Sequence, residues 1–517
     1  MHPSVHAAAT PAKPALIMAA SGEPVTFEML EDRSNRTAHL LRSLGLVRGD
    51  VIALLLDNRP EFFDLVWGAH RCGLYYVCIS TQLLPAEIEF ILQDCGAKVL
   101  FAAPGLDGKV ADVARANAVD LFSVAGKTGR DYLAEREAMP ATRIADESAG
   151  NDMLYSSGTT GRPKGIKPPL PDGPLAVPNG LTRLGESAYG MGPDTVFLSP
   201  APLYHAAPLR WCMAVQMLGG TVVVMDKFDP EAALAAIERY GVTHAQWVPT
   251  HFVRMLKLPD EVRARYDCST LRNVFHAAAP CPVEVKQAMI AWWGPIVHEF
   301  YGGTEANGLT NIGPQDWLRK PGSVGLPMWG TPKICDEDGN ELPAGQTGTI
   351  YFADGQPFEY HNDPEKTAAS RNAHGWTTIG DVGWLDEDGF LYLTDRKSYM
   401  IISGGVNIYP QEIENQLLLH PEVADAAVIG APDPDLGERV VAVVQPADPD
   451  AAGPELAERI TAFLRTKVGR IKVPRQVDFD PALPRTPTGK LMKRLVRDRY
   501  WPDRDGNPLG LSGGGKA

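Results

Sequence analysis

One unit recurs along this chain and narrows its possible folds: a proline-opened helix, a glycine stop, then a short apolar strand. Pro85 opens the first example, Ile88, Ile91 and Leu92 share one helical face, Gly96 ends it, and residues 98–103 read as a buried strand. The same order returns at 230–240, Gly241 and 242–248. Proline suits a first helical turn because it has no N–H to leave unpaired, and glycine suits the stop because it enters the left-handed region freely. The short apolar runs at 51–56, 221–225 and 440–444 fit strands covered on both faces. Such alternation predicts an α/β architecture.

At 517 residues the chain is too long for a single core. A turn, a short strand and a charged break between Asp386 and Arg396 mark a domain edge. The expected division is a large domain of sheets flanked by helices over 1–397 and a small α+β domain over 398–517. The Pro- and Gly-rich stretch 167–194 reads as a surface excursion, and 503–517 as a frayed tail.

Hydrophobic content of 44% and charged content of 22% are those of a soluble globular protein. A net charge of −14 argues against nucleic acid as a partner, and an anionic substrate must then be drawn by local cations. The seven cysteines are scattered without a C-x-x-C pair, so they suggest neither zinc nor a disulfide framework. No run of 18 apolar residues and no signal-like N-terminus is present. A cytoplasmic setting is expected; peripheral membrane contact and homo-oligomerisation are left open.

Chemistry enters with Tyr155-Ser156-Ser157-Gly158-Thr159-Thr160-Gly161-Arg162-Pro163-Lys164-Gly165. From Ser156 onward no residue is a good core former. The segment offers glycine-freed backbone N–H groups, hydroxyls and cations, which is how a phosphate chain is cradled. It is not a Walker A loop, because Pro163 stands where that motif needs glycine. A plain Gly/Ser/Thr linker would have no use for proline between two cations.

This loop resembles the phosphate-loop signature of the adenylate-forming superfamily, in its acyl-CoA synthetase (carboxylic acid–CoA ligase) branch. Further similar segments follow in the family's order: Pro202-Leu203-Tyr204-His205, Tyr301-Gly302-Gly303-Thr304-Glu305, Gly380-Asp381, Asp395-Arg396-Lys397, Gly404-Gly405-Val406-Asn407 through Glu414, and Pro484 to Lys490. The resemblance implies an adenylate-forming fold with a mobile C-terminal domain, pivoting at Ser398. It also implies a reaction in which a carboxylate attacks the α-phosphate of ATP and a thiol then displaces AMP. The substrates would be a small-molecule carboxylic acid, ATP and coenzyme A, with Mg²⁺ as cofactor.

The same resemblance assigns residues. Ser156, Ser157, Gly158, Thr159, Thr160, Gly161 and Lys164 would hold phosphates. Ala277 and Ala278 would lie beside adenine, Tyr301 would stack on it, and Gly302, Gly303 and Thr304 would line the nucleotide. Asp381 and Arg396 would hold the ribose, although Ile379 replaces a hydroxyl usual in relatives. Glu305 and Thr160 would bind Mg²⁺; otherwise Thr304 caps a helix with Glu305 in its first turn. Lys490 would be the catalytic cation, because joining a carboxylate to a polyphosphate requires neutralisation; Lys493 and Arg494 read as solvated surface cations. His205 would gate access to the acyl carbon, or be structural. His276 either lines the acyl pocket or is a core histidine. Gly404 and Gly405 would flank the pantetheine tunnel after domain rotation, and Lys397 and Arg439 are candidates for the CoA phosphates. Trp211, Trp247, Trp292 and Trp293 are apolar candidates, and a hydrophobic acid, fatty or aryl/alicyclic, is expected. The alternative acceptor is a separate carrier protein, since 27 residues after Lys490 (517 − 490) leave no room for a fused one.

Overall fold

The computed structural model describes residues 2–156, 163–176, 179–486 and 490–501. The recurring units fold as read. Pro85–Cys95 is a helix with proline in its first turn, Glu87 accepting from the Leu84 N–H at 2.8 Å, and Gly96 closing it at φ +66°. Pro230–Tyr240 is capped by Asp229, which accepts from Glu231 and Ala232 N–H, and closed by Gly241. The strands that follow them are Val99–Ala102 and His244–Trp247.

Among the described residues three sheets carry the chain up to Arg396, one of them only the two-stranded pair Leu154–Ser156 and Lys164–Ile166. A six-stranded, all-parallel sheet has Val51–Leu55 and Val99–Ala102 at its centre. A thirteen-stranded sheet is parallel from Pro14–Met18 to Val297–Gly302 and antiparallel beyond, through Leu309–Ile312 and Ser323–Trp329 to Leu391–Arg396 and Asp381–Leu385. The change of direction falls on Val297–Gly302, which ends in the Tyr-Gly-Gly segment.

The remaining residues form a five-stranded sheet around the long antiparallel pair Val423–Asp433 and Gly437–Pro446. Alternate residues of Gly437–Pro446 feed two cores: Val440, Ala442 and Val444 meet Ile413, Leu417 and Ile460, while Val441 and Val443 meet Leu483 and Val496. The molecule is therefore α/β, with a large sheet domain and a smaller C-terminal one. Among the described residues no helix is long and apolar enough to cross a membrane.

Two expectations are corrected. The 167–194 stretch is not wholly a surface excursion, because Gly180–Tyr189 is a helix capped by Asn179, whose Oδ1 accepts from Thr182 N–H at 2.9 Å. Its Leu184 and Tyr189 are buried. Nor is Lys493 a solvated cation. It is buried, 2.9 Å from Glu414 and 3.9 Å from Asp395, with its ammonium over the Tyr399 ring. Only Arg494 matches the surface reading, paired loosely with Asp498.

Candidate active site

Adjacent antiparallel strands set Asp381 opposite Arg396, and the two form an ion pair at 2.9 Å. Asp381 also accepts a hydrogen bond from the Tyr301 hydroxyl at 2.8 Å. Burial, then the Asp381 charge, pushes the Tyr301 phenol well above its usual range, so it stays a donor. Aspartate, arginine and tyrosine thus form one connected group.

Glu305 lies in a turn, not a helix, which overturns the capping alternative for Thr304. Its carboxylate accepts from the Tyr360 hydroxyl at 2.9 Å. A Cβ on Gly303 would stand 2.7 Å from Glu305 Oε2 and 3.0 Å from Ile379 Cδ1, so the Glu305 carboxylate would have to move. A Cβ on Gly302 would meet the Gly308 carbonyl oxygen at 3.0 Å. Ile379 thus fills space against the glycine pair. The hydroxyl one place earlier, on Thr378, donates to the Ile350 carbonyl at 2.7 Å and accepts from Gly380 N–H at 3.0 Å.

Lys490 reaches this group from the C-terminal domain. Its backbone is tied to Thr486 in both directions, at 2.7 and 3.0 Å. The Arg396 guanidinium first, then burial, lowers its ammonium to about 8, against the pull of Asp381 and Glu305. His205 stands at the N-terminus of the helix Ala206–Met217, packed against Tyr204 at 4.8 Å. Its Nε2 is buried without a hydrogen-bond partner among the described residues. Burial, then the Lys490 charge, lowers the imidazole to about 4, so at neutral pH it is uncharged.

Lys164 lies on the strand Lys164–Ile166, whose Ile166 bridges to Tyr360 and whose Gly165 carbonyl accepts from His361 N–H at 2.8 Å. Its ammonium sits 5.0 Å from the centre of the Tyr360 ring. Burial, then the neighbouring Lys366 ammonium, lowers it to about 8. The backbone of Ser156 pairs with Lys164. Ser157, Gly158, Thr159, Thr160 and Gly161 lie outside the described residues.

Ala277 is buried, and Ala278 holds φ +74°, a left-handed conformation that costs a residue with a Cβ about 1 kcal/mol. His276 just before them is a core residue. It is fully buried, 3.3 Å from Glu299, which also pairs with Lys286 at 2.8 Å. Burial alone would raise the Glu299 carboxyl, but His276 and Lys286 hold it at about 2. Behind this loop stands an aromatic wall. Trp211 packs at 4.7 Å on Phe275 and 6.3 Å from Phe300, and Tyr189 stacks on Phe275 at 4.6 Å with its hydroxyl donating to Asn311. Trp247 and Trp293 pack instead on Phe252, on the far core.

The structure therefore brings Lys490, Glu305, Asp381, Arg396, Tyr301, His205 and Lys164 into one electrostatic neighbourhood. Gly404 and Gly405 are exposed on the hairpin between Ile401–Ser403 and Val406–Ile408, with φ +58° and +79°. Arg439 is engaged with the Pro432 carbonyl and Gln476. Sequence reasoning missed Tyr360, Lys366 and Tyr189; Tyr360 meets Glu305 across 55 residues, a separation no local pattern reveals.

The family model described as AMP-binding enzyme matches residues 4–359, and that described as AMP-binding enzyme C-terminal domain matches 412–490. A feruloyl-CoA synthase of Amycolatopsis is 35% identical over 93% of this chain and 94% of its own length. A long-chain-fatty-acid–CoA ligase of Mycobacterium tuberculosis is 33% identical over 92% of this chain and 93% of its own. The structure of o-succinylbenzoate CoA synthetase from Bacillus subtilis, in complex with its acyl-adenylate intermediate, superposes with TM-score 0.79 at 28% identity, covering 96% of this chain and 97% of that one.

Proposed function

The chain belongs to the family of AMP-binding enzymes, and from that premise we propose how its residues divide the work of a two-step ligation. It is an AMP-forming acid–thiol ligase. It activates a hydrophobic carboxylic acid as acyl-AMP, with release of pyrophosphate, and transfers the acyl group to coenzyme A.

In the first step a carboxylate oxygen bonds the α-phosphorus of ATP and the bond to the β-phosphate oxygen breaks. The nucleophile is already ionised at neutral pH, so no base is needed. What is needed is cationic charge where two anions meet, and Lys490 supplies it as a mobile ammonium. Lys164 receives the outer phosphates. Asp381 and Arg396 hold the ribose hydroxyls, and Tyr301, fixed by Asp381, lies beside the adenine with Ala277 and Ala278.

Glu305 fits a magnesium ion. It is a single carboxylate in a polyphosphate site, and Mg²⁺ takes few protein oxygens and fills its shell with phosphates and water. Among the described residues no group of three or more His, Cys, Asp or Glu could hold a metal alone. Bound there with ATP, the ion would neutralise charge on the phosphates.

In the second step the thiolate sulfur bonds the acyl carbon and the carbon–oxygen bond to AMP breaks. Lys490 must leave and the Gly404–Gly405 hairpin must arrive, with the pivot at the turn Lys397–Tyr399. His205, neutral and with its Nε2 unpaired among the described residues, would swing as a gate. The aromatic wall of Trp211, Phe275, Phe300 and Tyr189 favours an apolar acid, aryl or aliphatic.

The observation that carries this reading is the convergence of Lys490, from the C-terminal domain, with Glu305 and the Asp381–Arg396 pair. The test offers purified protein a panel of hydrophobic acids and follows exchange of labelled pyrophosphate into ATP. Acid-dependent exchange is expected, with acyl-CoA formed once CoA is added. Absence of exchange with every acid would refute it.

A further inference from the structure

We propose that Lys366 joins Lys164 as a two-ammonium clamp for the outer phosphates of ATP and for the pyrophosphate that leaves. This rests on the nucleotide site described above and extends it to a residue that none of the recognised motifs contains.

The clamp is built by the backbone. Ile166 bridges to Tyr360, and His361 N–H donates to the Gly165 carbonyl at 2.8 Å, so the segment after Tyr360 is fixed against the Lys164 strand. Tyr360 N–H donates to Thr367 Oγ1 at 3.0 Å, and Asp363 N–H donates to the Tyr360 carbonyl at 3.2 Å. These bonds fold the short helix Pro364–Ala369 back onto Tyr360, and Lys366 comes with it. There its ammonium is the neighbouring charge that, after burial, most lowers Lys164. Lys164 is held from below by the Tyr360 ring, whose hydroxyl is committed to Glu305.

Two ammonium groups pressed together repel, and the arrangement becomes favourable when a multiply charged anion sits across both. Pyrophosphate is such an anion, and AMP alone does not reach that far. The glycine-rich loop that would contact the same phosphates begins at the strand paired with Lys164. Glu305, the carboxylate that fits the metal, is joined to Lys164 through Tyr360. The neighbourhood therefore offers separate cations for the α-phosphate, from Lys490, and for the leaving phosphates, from Lys164 and Lys366.

The test compares equilibrium binding of ATP, pyrophosphate and AMP, each with magnesium, to the intact protein and to Lys366→Ala and Lys366→Arg. The expected result is that Lys366→Ala weakens ATP and pyrophosphate about tenfold. AMP should stay within about twofold, and Lys366→Arg should recover most of the loss. Equal weakening of AMP would mean a merely structural role, and unchanged ATP binding would mean no contact; either overturns the clamp. Failure of the unaltered protein to bind any of the three would instead count against the nucleotide site itself.

Discussion

Lys490 and Lys164 both titrate at about 8, for different reasons: the first mainly through Arg396, the second mainly through burial. In the proposed roles each is needed as a cation, so its function would be present below that value and lost above it. The kcat/KM of adenylate formation, which reports the free enzyme, should therefore fall as pH rises through about 8. With two such groups the limiting slope should approach two proton equivalents. Lys490→Ala should reduce adenylate formation by about 10²–10³-fold. Thioester formation from supplied acyl-adenylate should change little, and equal loss of both half-reactions would exclude the assigned role. Single residues were legible in sequence where glycine or proline forces a special backbone. Gly380 before Asp381, at φ +85°, is an example. Lys493 was not legible, because its burial depends on Asp395 and Glu414, carried by a strand and a helix distant in sequence.

At the scale of elements, that buried pair sews the helix Pro410–Leu418 to the helix Lys493–Arg497 and both to the strand Leu391–Arg396. Asp395 Oδ2 also accepts from Gln411 N–H at 2.9 Å, at the first turn of the Pro410 helix. Removing one partner leaves the other charge buried, so Lys493→Ala should cost about 3–5 kcal/mol. Arg494→Ala next to it should stay within about 0.5 kcal/mol, and urea unfolding would compare them. Asn179→Ala should cost about 1 kcal/mol through the lost cap of Gly180–Tyr189, and should loosen Tyr189 against Phe275. That helix escaped the sequence reading because its apolar positions are few and prolines precede it. The helix–strand units were readable because punctuation and periodicity agreed, as at Pro85, Gly96 and Val99–Ala102.

For the whole molecule, the sheet architecture followed from alternation, but the reversal of strand direction at Val297–Gly302 did not, because no local pattern encodes it. The two-step proposal requires the C-terminal domain to turn. Ser398→Pro, stiffening the turn Lys397–Tyr399, should leave adenylate formation near normal and slow thioester formation about tenfold or more. Single-turnover measurements of each half-reaction would separate the two, and equal slowing would argue against the pivot.

The strand Gly437–Pro446 packs on both sides within its own domain, which gives that piece a hydrophobic interior owing little to the rest. Among the described residues it meets the larger body through Asp395 with its partners, through Leu419 against the core around Trp247, and through Lys257, whose ammonium donates to the Val423 carbonyl at 2.6 Å. Severed at Ser398, the two fragments should each remain soluble. Mixed at high concentration, they should regain acyl-AMP synthesis by complementation, the smaller fragment behaving as a diffusible activator whose potency reads out how weakly nature chose to fasten it.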